Sequence, residues 1–491
     1  MSRQTRRTFL KRAAATAGVA TTFTIAGTQS SGQVLGANDT IRVGVAGIHG
    51  RGNSHIGAFA GMDKVQVTHL IDPDSRLFAG RSESIKKRNG NTPKCFQDIR
   101  KALEDKELDA VSVATCNHWH SLITFWSCQA GKDVYVEKPC SHNVFEGRQC
   151  VKAARKYKCI VQHGTQSRAS GSWAKTVAAV ASGKYGKLLV SKAYASKPRW
   201  SIGFKDVKDP PAELDYNLWL GPAPMQPYHE NLVHYNWHWF WDTGNGEIGN
   251  QGVHQMDIAR WGIPGGTLPK SVISMGGRWV QSSEGHPPFT DQAETPNMQL
   301  TVMDFGGPLM VYEVAGLCGK SVVGKQAPPR KVDNEFYLEE GAIKGGKFYP
   351  KGSDKGESID VDYHIEPGGI FENFIDCVRS RDRTKLHADI LDAHYSAALC
   401  HLGNISYRLG QQVPGTTKPE VLGVHEEASR SWSDICTALD NAIGLDLEKS
   451  TYQLGPMLQF DAEKEKFVGN AEADKLLTRE YREPFVVTEE V

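Results

Sequence analysis

Residues 111–139 read VSVATCNHWHSLITFWSCQAGKDVYVEKP. The apolar run Val111–Ala114 has the length and composition of a buried strand. Thr115, Asn117, His118, Trp119 and His120 follow at its end. Helical periodicity then carries the chain to Cys128, and Gly131 stops it, being suited to the left-handed position after a helix. A second strand, from Asp133, ends in Glu137-Lys138-Pro139. Strand, helix and strand in this order make a βαβ unit with parallel strands. In open parallel sheets ligands bind beyond the carboxyl ends of the strands. The residues at the two strand ends are therefore the first candidates for chemistry.

Upstream the pattern repeats. Ile41–Ala46 reads as a strand, and Gly47-Ile48-His49-Gly50-Arg51-Gly52 as a tight turn into a helix running through Phe59. This is nearly the dinucleotide fingerprint G-x-G-x-x-G, in which glycines let the backbone approach a pyrophosphate at a helix N-terminus. His49 stands where the middle glycine is expected. A second strand, Val65–Ile71, ends at Asp72, 20 residues after Gly52. A carboxylate there accepts hydrogen bonds from ribose hydroxyls and repels a 2′-phosphate, which favours NAD over NADP, with Arg76 as a nearby counterweight. Cys159–His163 is a further strand leading into Gly164-Thr165-Gln166-Ser167-Arg168. Strands alternating with helices over residues 41–168 predict a doubly wound domain.

Taken together, Gly47–Gly52, Asp72, Asn117–His120 and Glu137-Lys138-Pro139 resemble the glucose–fructose oxidoreductase / inositol dehydrogenase (Gfo/Idh/MocA) family in order and spacing. The resemblance continues through Trp237–Asp242, Gly249–Asp257, the stretch from Ile370 to Arg381, and Ala388–Tyr407. It implies an α/β fold: an N-terminal Rossmann domain with a doubly wound parallel sheet, then an α+β C-terminal domain with an open, mostly antiparallel sheet. The expected boundaries are 38–167 for the NAD-binding domain, 168–415 for the substrate and oligomerisation domain, and 416–491 for a C-terminal extension. The resemblance also implies a homodimer or homotetramer. Gly47, His49, Gly50, Arg51, Gly52, Asp72, Thr115, Asn117, His118, Trp119, His120, Glu137, Lys138 and Gln166 are the expected cofactor-binding residues. The cofactor would be NAD, tightly held, and the substrate a sugar or cyclitol.

Oxidation of an alcohol needs a group to take the hydroxyl proton as hydride leaves for nicotinamide. Lys138 is the first candidate, unless it serves only to hold the cofactor ribose. His254 is the second. The resemblance matches Asn250 and His254 to an Asp…His pair, so an amide replaces a carboxylate. Asp257, three residues after His254, is a substitute source of charge. Arg168, Arg199, Trp237, His238 and His254 are the expected substrate contacts; Arg168 is equally suited to pairing with an internal acid. His118 and His120 have no third ligand at a metal spacing, so no metal site is expected. The implied activity is NAD(H)-dependent oxidoreduction at a ring hydroxyl of a sugar, cyclitol or glycoside. The rival reading resembles the NAD-dependent α-N-acetylgalactosaminidases, in which transient C3 oxidation and elimination give net hydrolysis.

Composition bounds the rest. The chain has 491 residues and a formal net charge of +1, from 57 basic and 56 acidic residues, which gives no electrostatic case for nucleic acid. Its N-terminus differs: Thr5-Arg6-Arg7-Thr8-Phe9-Leu10-Lys11 precedes a mildly apolar Ala/Thr-rich stretch. This reads as a twin-arginine export signal over residues 1–37, too short and polar for a stable membrane span, and directs the protein to the periplasm. The ten cysteines form no C-x-x-C and fall mostly in apolar patterns, so buried thiols are expected.

Overall fold

The computed structural model describes residues 40–491, so the expected signal at 1–37 lies outside the described residues. Six parallel strands form the first sheet: β1 (Ile41–Ala46), β2 (Val65–Ile71), β3 (Lys94–Phe96), β4 (Ala110–Val113), β5 (Asp133–Val136) and β6 (Val161–His163). Their order, β3-β2-β1-β4-β5-β6, reverses direction between β1 and β4. Register decides what this reversal brings together. Ala46 pairs with Ile71 on one side and Val113 on the other, Val113 pairs with Val136, and Val136 with His163. The strands therefore end in line, and Gly47, Asp72, Thr115, Glu137 and Gly164 emerge along one edge. β4 and β5 are buried throughout, as expected of a parallel sheet covered on both faces.

The second sheet is mixed and mostly antiparallel. Its ten-strand path runs β14 (Glu357–Ser358), β13 (Lys347–Pro350), β12 (Gly341–Lys344), β11 (Lys331–Leu338), β7 (Leu188–Ser196), β10 (Leu309–Ala315), β9 (Met298–Asp304), β8 (Ser271–Gly277), β16 (Thr451–Leu454) and β15 (Gln411–Pro414). Only β7 and β10 pair in parallel on this path. One face packs on the helices Gly252–Trp261 and Ile390–Arg408. The other face is covered by the helix Glu426–Ile443, through Trp432, Ile435, Leu439 and their neighbours. That helix is also tied down by a fully buried ion pair, Lys192 Nζ to Glu427 Oε2 at 2.7 Å. In the Gly- and Lys-rich stretch 320–366, β11 is an eight-residue strand pairing directly with β7.

Two of the segments expected from sequence share their packing with other parts of the chain. Residues of the helix Ile370–Ser380 pack into the core beside β1, β2 and β5, so the chain returns to the first domain from within 168–415. Residues 416–491 are not a separate extension. β16 and β17 (Leu458–Asp461) both pair with β8, and β18 (Lys466–Phe467) pairs with β17. The final segment crosses back, placing Phe485 and Val487 in the Rossmann core against the helix Asn117–Gln129. Phe485 is 1% exposed, meets the Trp119 ring edge-on at 5.5 Å, and lies beneath the guanidiniums of Arg100 and Arg482. Phe485→Ala is therefore expected to lower stability by ~3–5 kcal/mol. Urea unfolding measures this, and an unchanged midpoint would mean the tail is not docked.

Candidate active site

One cavity of about 420 Å³ opens at the aligned strand ends. Its floor is the glycine turn. Gly47 has φ +80°, and a Cβ there would sit 2.6 Å from the Ala114 carbonyl. A Cβ on Gly52 would fall 1.7 Å from the Gly47 oxygen. These two glycines let the turn fold flat under β4 and enter the helix Arg51–Phe59, whose N-terminus has no side-chain cap. An uncapped helix start with free N–H groups facing a cavity suits a pyrophosphate. His49 fills the middle-glycine position by turning its ring outward, stacked on His234 with ring centres 4.4 Å apart.

Asp72 lines the cavity, but its carboxylate has structural work too. Oδ2 accepts from the Ile48 N–H and Oδ1 from the Asp74 N–H, both at 2.9 Å, which ties the glycine turn to the end of β2. Burial pushes its pKa up to about 6, with these backbone bonds pulling back. Arg76 is held by Asp74 at 2.7 Å, and His234 shares the same carboxylate at 2.9 Å. The arginine that the sequence set against an NAD preference is thus already paired.

At the end of β5, Glu137 is 3% exposed. Arg51 Nε donates to its Oε1 at 2.7 Å, and His55 Nε2 lies 3.0 Å from the same oxygen. Arg51 and His55 are four residues apart on one helix, so both reach the carboxylate from the same face. Burial favours the protonated acid, yet His55, Arg51 and Lys138 outweigh it and hold the carboxyl well below its usual range. Gly164 permits this packing, since a Cβ there would lie 3.0 Å from the carboxylate. Gln166, with its amide oxygen toward Arg51 Nη2, completes the cluster.

Lys138 follows, its Nζ donating to the Asn250 backbone oxygen at 3.0 Å and to Oδ1 at 3.3 Å. Burial lowers its pKa from the ordinary lysine value, while Glu137 and Glu247 oppose the shift. Asn250 Nδ2 in turn donates to Glu247 Oε2 at 3.1 Å, and Arg199 clamps Glu247 with bonds of 2.6 and 2.9 Å. The charge missing at position 250 is therefore present one hydrogen bond further back. His254 lines the same cavity, and its ring has no hydrogen-bond partner among the described residues. Burial and the Lys138 charge push its pKa down to about 3, so the imidazole is neutral at neutral pH. Trp237 and His238 form the opposite wall, rings stacked at 3.5 Å.

Several expected site residues lie elsewhere. Asp257 does not support His254: its oxygens accept two bonds from Arg168 at 2.9 Å and one from Ser396 at 2.6 Å, all buried. Arg168 is consequently an internal partner and not a substrate contact, and Arg199 likewise serves Glu247. His118 is buried behind the cavity between the Thr243 and Trp219 carbonyls, each 3.1 Å away. Gly52 acts beneath the turn and not at the cavity surface. Asn117, Trp119 and His120 do line the cavity; these residues begin the helix instead of trailing the strand. His120 is fixed by the Pro139 and Thr115 carbonyls, at 2.6 and 3.0 Å. Among the described residues no group of three His, Cys, Asp or Glu could hold a metal ion.

Sequence reading missed His55 and Glu247, which hold Glu137 and Asn250, and the cavity residues His234, Trp219 and Gln97-Asp98-Ile99. The four-residue spacing of Arg51 and His55, and the three-residue spacing of Glu247 and Asn250, were available signals. Nothing local marks the others.

Residues 41–165 match the oxidoreductase family's NAD-binding Rossmann fold, and residues 174–269 match the same family's C-terminal alpha/beta domain. Both matched domains are those of the Gfo/Idh/MocA family. The chain's first domain is accordingly an NAD-binding Rossmann domain, and the uncapped turn and Asp72 fit that nucleotide. A glycosyl hydrolase family 109 protein of Shewanella pealeana is 25% identical over 190 residues, 37% of this chain and 41% of that protein. The alpha-N-acetylgalactosaminidase of Shewanella oneidensis is 27% identical over 218 residues, 40% of this chain and 47% of that protein. The chain thus spans less than half the length of these curated relatives. The WlbA dehydrogenase of Chromobacterium violaceum, solved with NADH and UDP-GlcNAcA, has the same fold. It is 17% identical with a TM-score of 0.54, covering 76% of this chain and 95% of that one.

Gly52→Ala tests the turn. Its Cβ would strike backbone that cannot yield, so NAD affinity is expected to fall at least ~10-fold. Titration of nucleotide by fluorescence reads this directly, and undiminished binding would exclude the glycine turn as the nucleotide cradle.

Proposed function

We propose that the protein is an NAD-dependent oxidoreductase acting on a ring hydroxyl of a sugar, cyclitol or glycoside. The observation that carries this reading is Lys138. It is a half-buried lysine with a lowered pKa, placed at the mouth of the nucleotide domain and aimed at the neighbouring domain's Asn250. Bound NAD supplies the hydride acceptor. Lys138, in its neutral form, takes the hydroxyl proton as the C–H bond breaks. Glu137 keeps the lysine backbone fixed and, with Glu247, sets how readily the ammonium releases its proton. Asn250 orients the lysine by presenting two oxygens to Nζ. His254, neutral and without a protein partner among the described residues, is free to accept or donate one hydrogen bond to a neighbouring hydroxyl. The stacked Trp237–His238 wall offers an aromatic edge on which a sugar ring rests by its C–H face.

The pH dependence follows from the sign of the shift. A base works deprotonated, so kcat/KM is expected to rise with pH and level off above a pKa lower than that of an ordinary lysine. Lys138→Ala should remove this limb and reduce turnover by ~10²–10⁴ while nucleotide still binds. A variant retaining full turnover would leave Lys138 without a catalytic role.

The glycosyl hydrolase family 109 relatives support a second reading, in which oxidation is transient and the net reaction is hydrolysis. The same lysine would serve both. Protein purified without added cofactor, denatured to release its nucleotide and offered sugars and aryl glycosides, separates them. Lasting absorbance near 340 nm with one sugar supports the dehydrogenase, whereas aglycone release without it supports the hydrolase. The twin-arginine motif at residues 5–11 supports export to the periplasm of a protein already loaded with nucleotide. Cell fractionation of the wild type against Arg6→Lys/Arg7→Lys checks this.

A further inference from the structure

We propose that a second cavity, behind the Lys138 loop, is a binding site for a small hydroxylated anion bearing a carboxylate or a phosphate. The cavity is about 290 Å³ and shares no lining residue with the nucleotide cleft. Five separate pieces of chain build it: His142 after β5, Pro224, Trp241 and Asp242 ahead of the helix Gly246–Asn250, the helix Ile390–Arg408, and the segment 475–480. Asn245 forms the partition, donating to the His142 carbonyl on this side and accepting from Asn117 on the other.

Three buried polar atoms around this cavity have no partner: His401 Nδ1, Asn404 Oδ1 and Arg479 Nε. Their other atoms are engaged. His401 Nε2 lies 3.2 Å from Ser141 Oγ, and Asn404 Nδ2 donates to the Asn245 carbonyl at 2.9 Å. His401 and Asn404 are 3% and 5% exposed. Unpaired buried polar atoms are rare in folded proteins and mark a place for a ligand or ordered water.

Charge selects between these. The Arg479 guanidinium donates to the Asp242 backbone oxygen at 3.1 Å, and its nearest carboxylate, that of Asp242, is 3.8 Å away. Arg408 lies over the Trp241 ring and has no ion pair among the described residues. Burial lowers its pKa, and the more distant Asp242 and Glu294 only partly oppose this. Two guanidiniums therefore face one cavity with a single ion pair between them among the described residues, Arg479 to Asp242, and Asp242 and Glu480 are the acids that line it. An oxyanion at Arg408 and Arg479 supplies the missing charge. A hydroxyl on the same molecule donates to Asn404 Oδ1 and meets His401 Nδ1. Water supplies the hydroxyl but not the charge.

The test uses the full chain saturated with NAD, so that the pyrophosphate position is filled. Inorganic phosphate and gluconate are titrated calorimetrically at constant ionic strength, with glucose as the uncharged control. The expected result is saturable one-to-one binding of phosphate, gluconate or both, with none for glucose. Preference for phosphate assigns a phosphate ester, and preference for gluconate a sugar acid. Arg408→Gln should weaken this binding about tenfold, in line with loss of one charge-assisted contact. Lys138→Ala, which alters only the first cleft, should leave it unchanged. Arg408 is at the surface, so an unaltered melting temperature confirms that its variant is folded. The proposal is overturned if neither anion binds saturably. It is equally overturned if binding survives Arg408→Gln, or disappears in Lys138→Ala, which would place the anion in the nucleotide cleft.

Discussion

A carboxylate buried at the end of a strand cannot stand alone. Removing it from water costs several kcal/mol unless charged donors surround it. Glu137 meets that demand with Arg51 and His55 from the helix that follows the glycine turn. This one cluster ties the nucleotide-binding turn to the strand that carries Lys138, so the two halves of the cleft cannot be placed independently. Gly164 at the end of β6 and Gln166 beyond it conform to the same carboxylate. Lys138 is thus positioned by its neighbour in sequence, and that neighbour by residues more than eighty positions earlier.

Across the cleft the same logic governs the second domain. Lys138 needs an acceptor, and Asn250 provides two oxygens without bringing a negative charge into direct contact. The charge resides on Glu247, where Arg199 already balances it. Moving a carboxylate one hydrogen bond away preserves orientation while weakening its hold on the ammonium. That arrangement favours a lysine able to lose its proton. Asp257, by contrast, is engaged by Arg168 and Ser396, with Arg260 3.9 Å away. His254 lines the cleft while Asp257, one turn further along the same helix, is held in the core by its own partners.

Closure of the cleft depends on chain far from the Rossmann domain. The segment 213–220 pairs with the loop after β2, through the bridge between Asp74 and Leu214 and the bond from Ser75 N–H to the Glu213 carbonyl. The C-terminal tail secures that segment. Arg482 donates to the carbonyls of Gly221, Ala223 and Asn217, while Phe485 inserts against Trp119. The result is a nucleotide cleft walled by three regions that follow one another only in space.

The amino-acid sequence by itself determined the parallel sheet, the glycine turn, Asp72 at the end of β2, and Lys138 at the end of β5. Each of these is local: periodicity, spacing within one βαβ unit and the steric needs of a turn are written in neighbouring residues. The second sheet's class was legible too, although its strand boundaries after residue 320 were not. Tertiary structure alone decided which charged residues reach the cleft. Arg168 and Arg199 looked available because their partners, Asp257 and Glu247, lie 89 and 48 positions away. His118 looked exposed because the Trp219 and Thr243 carbonyls that bury it come from the other domain. A buried charge takes whatever partner the fold brings within reach, and spacing along the chain carries no record of that meeting.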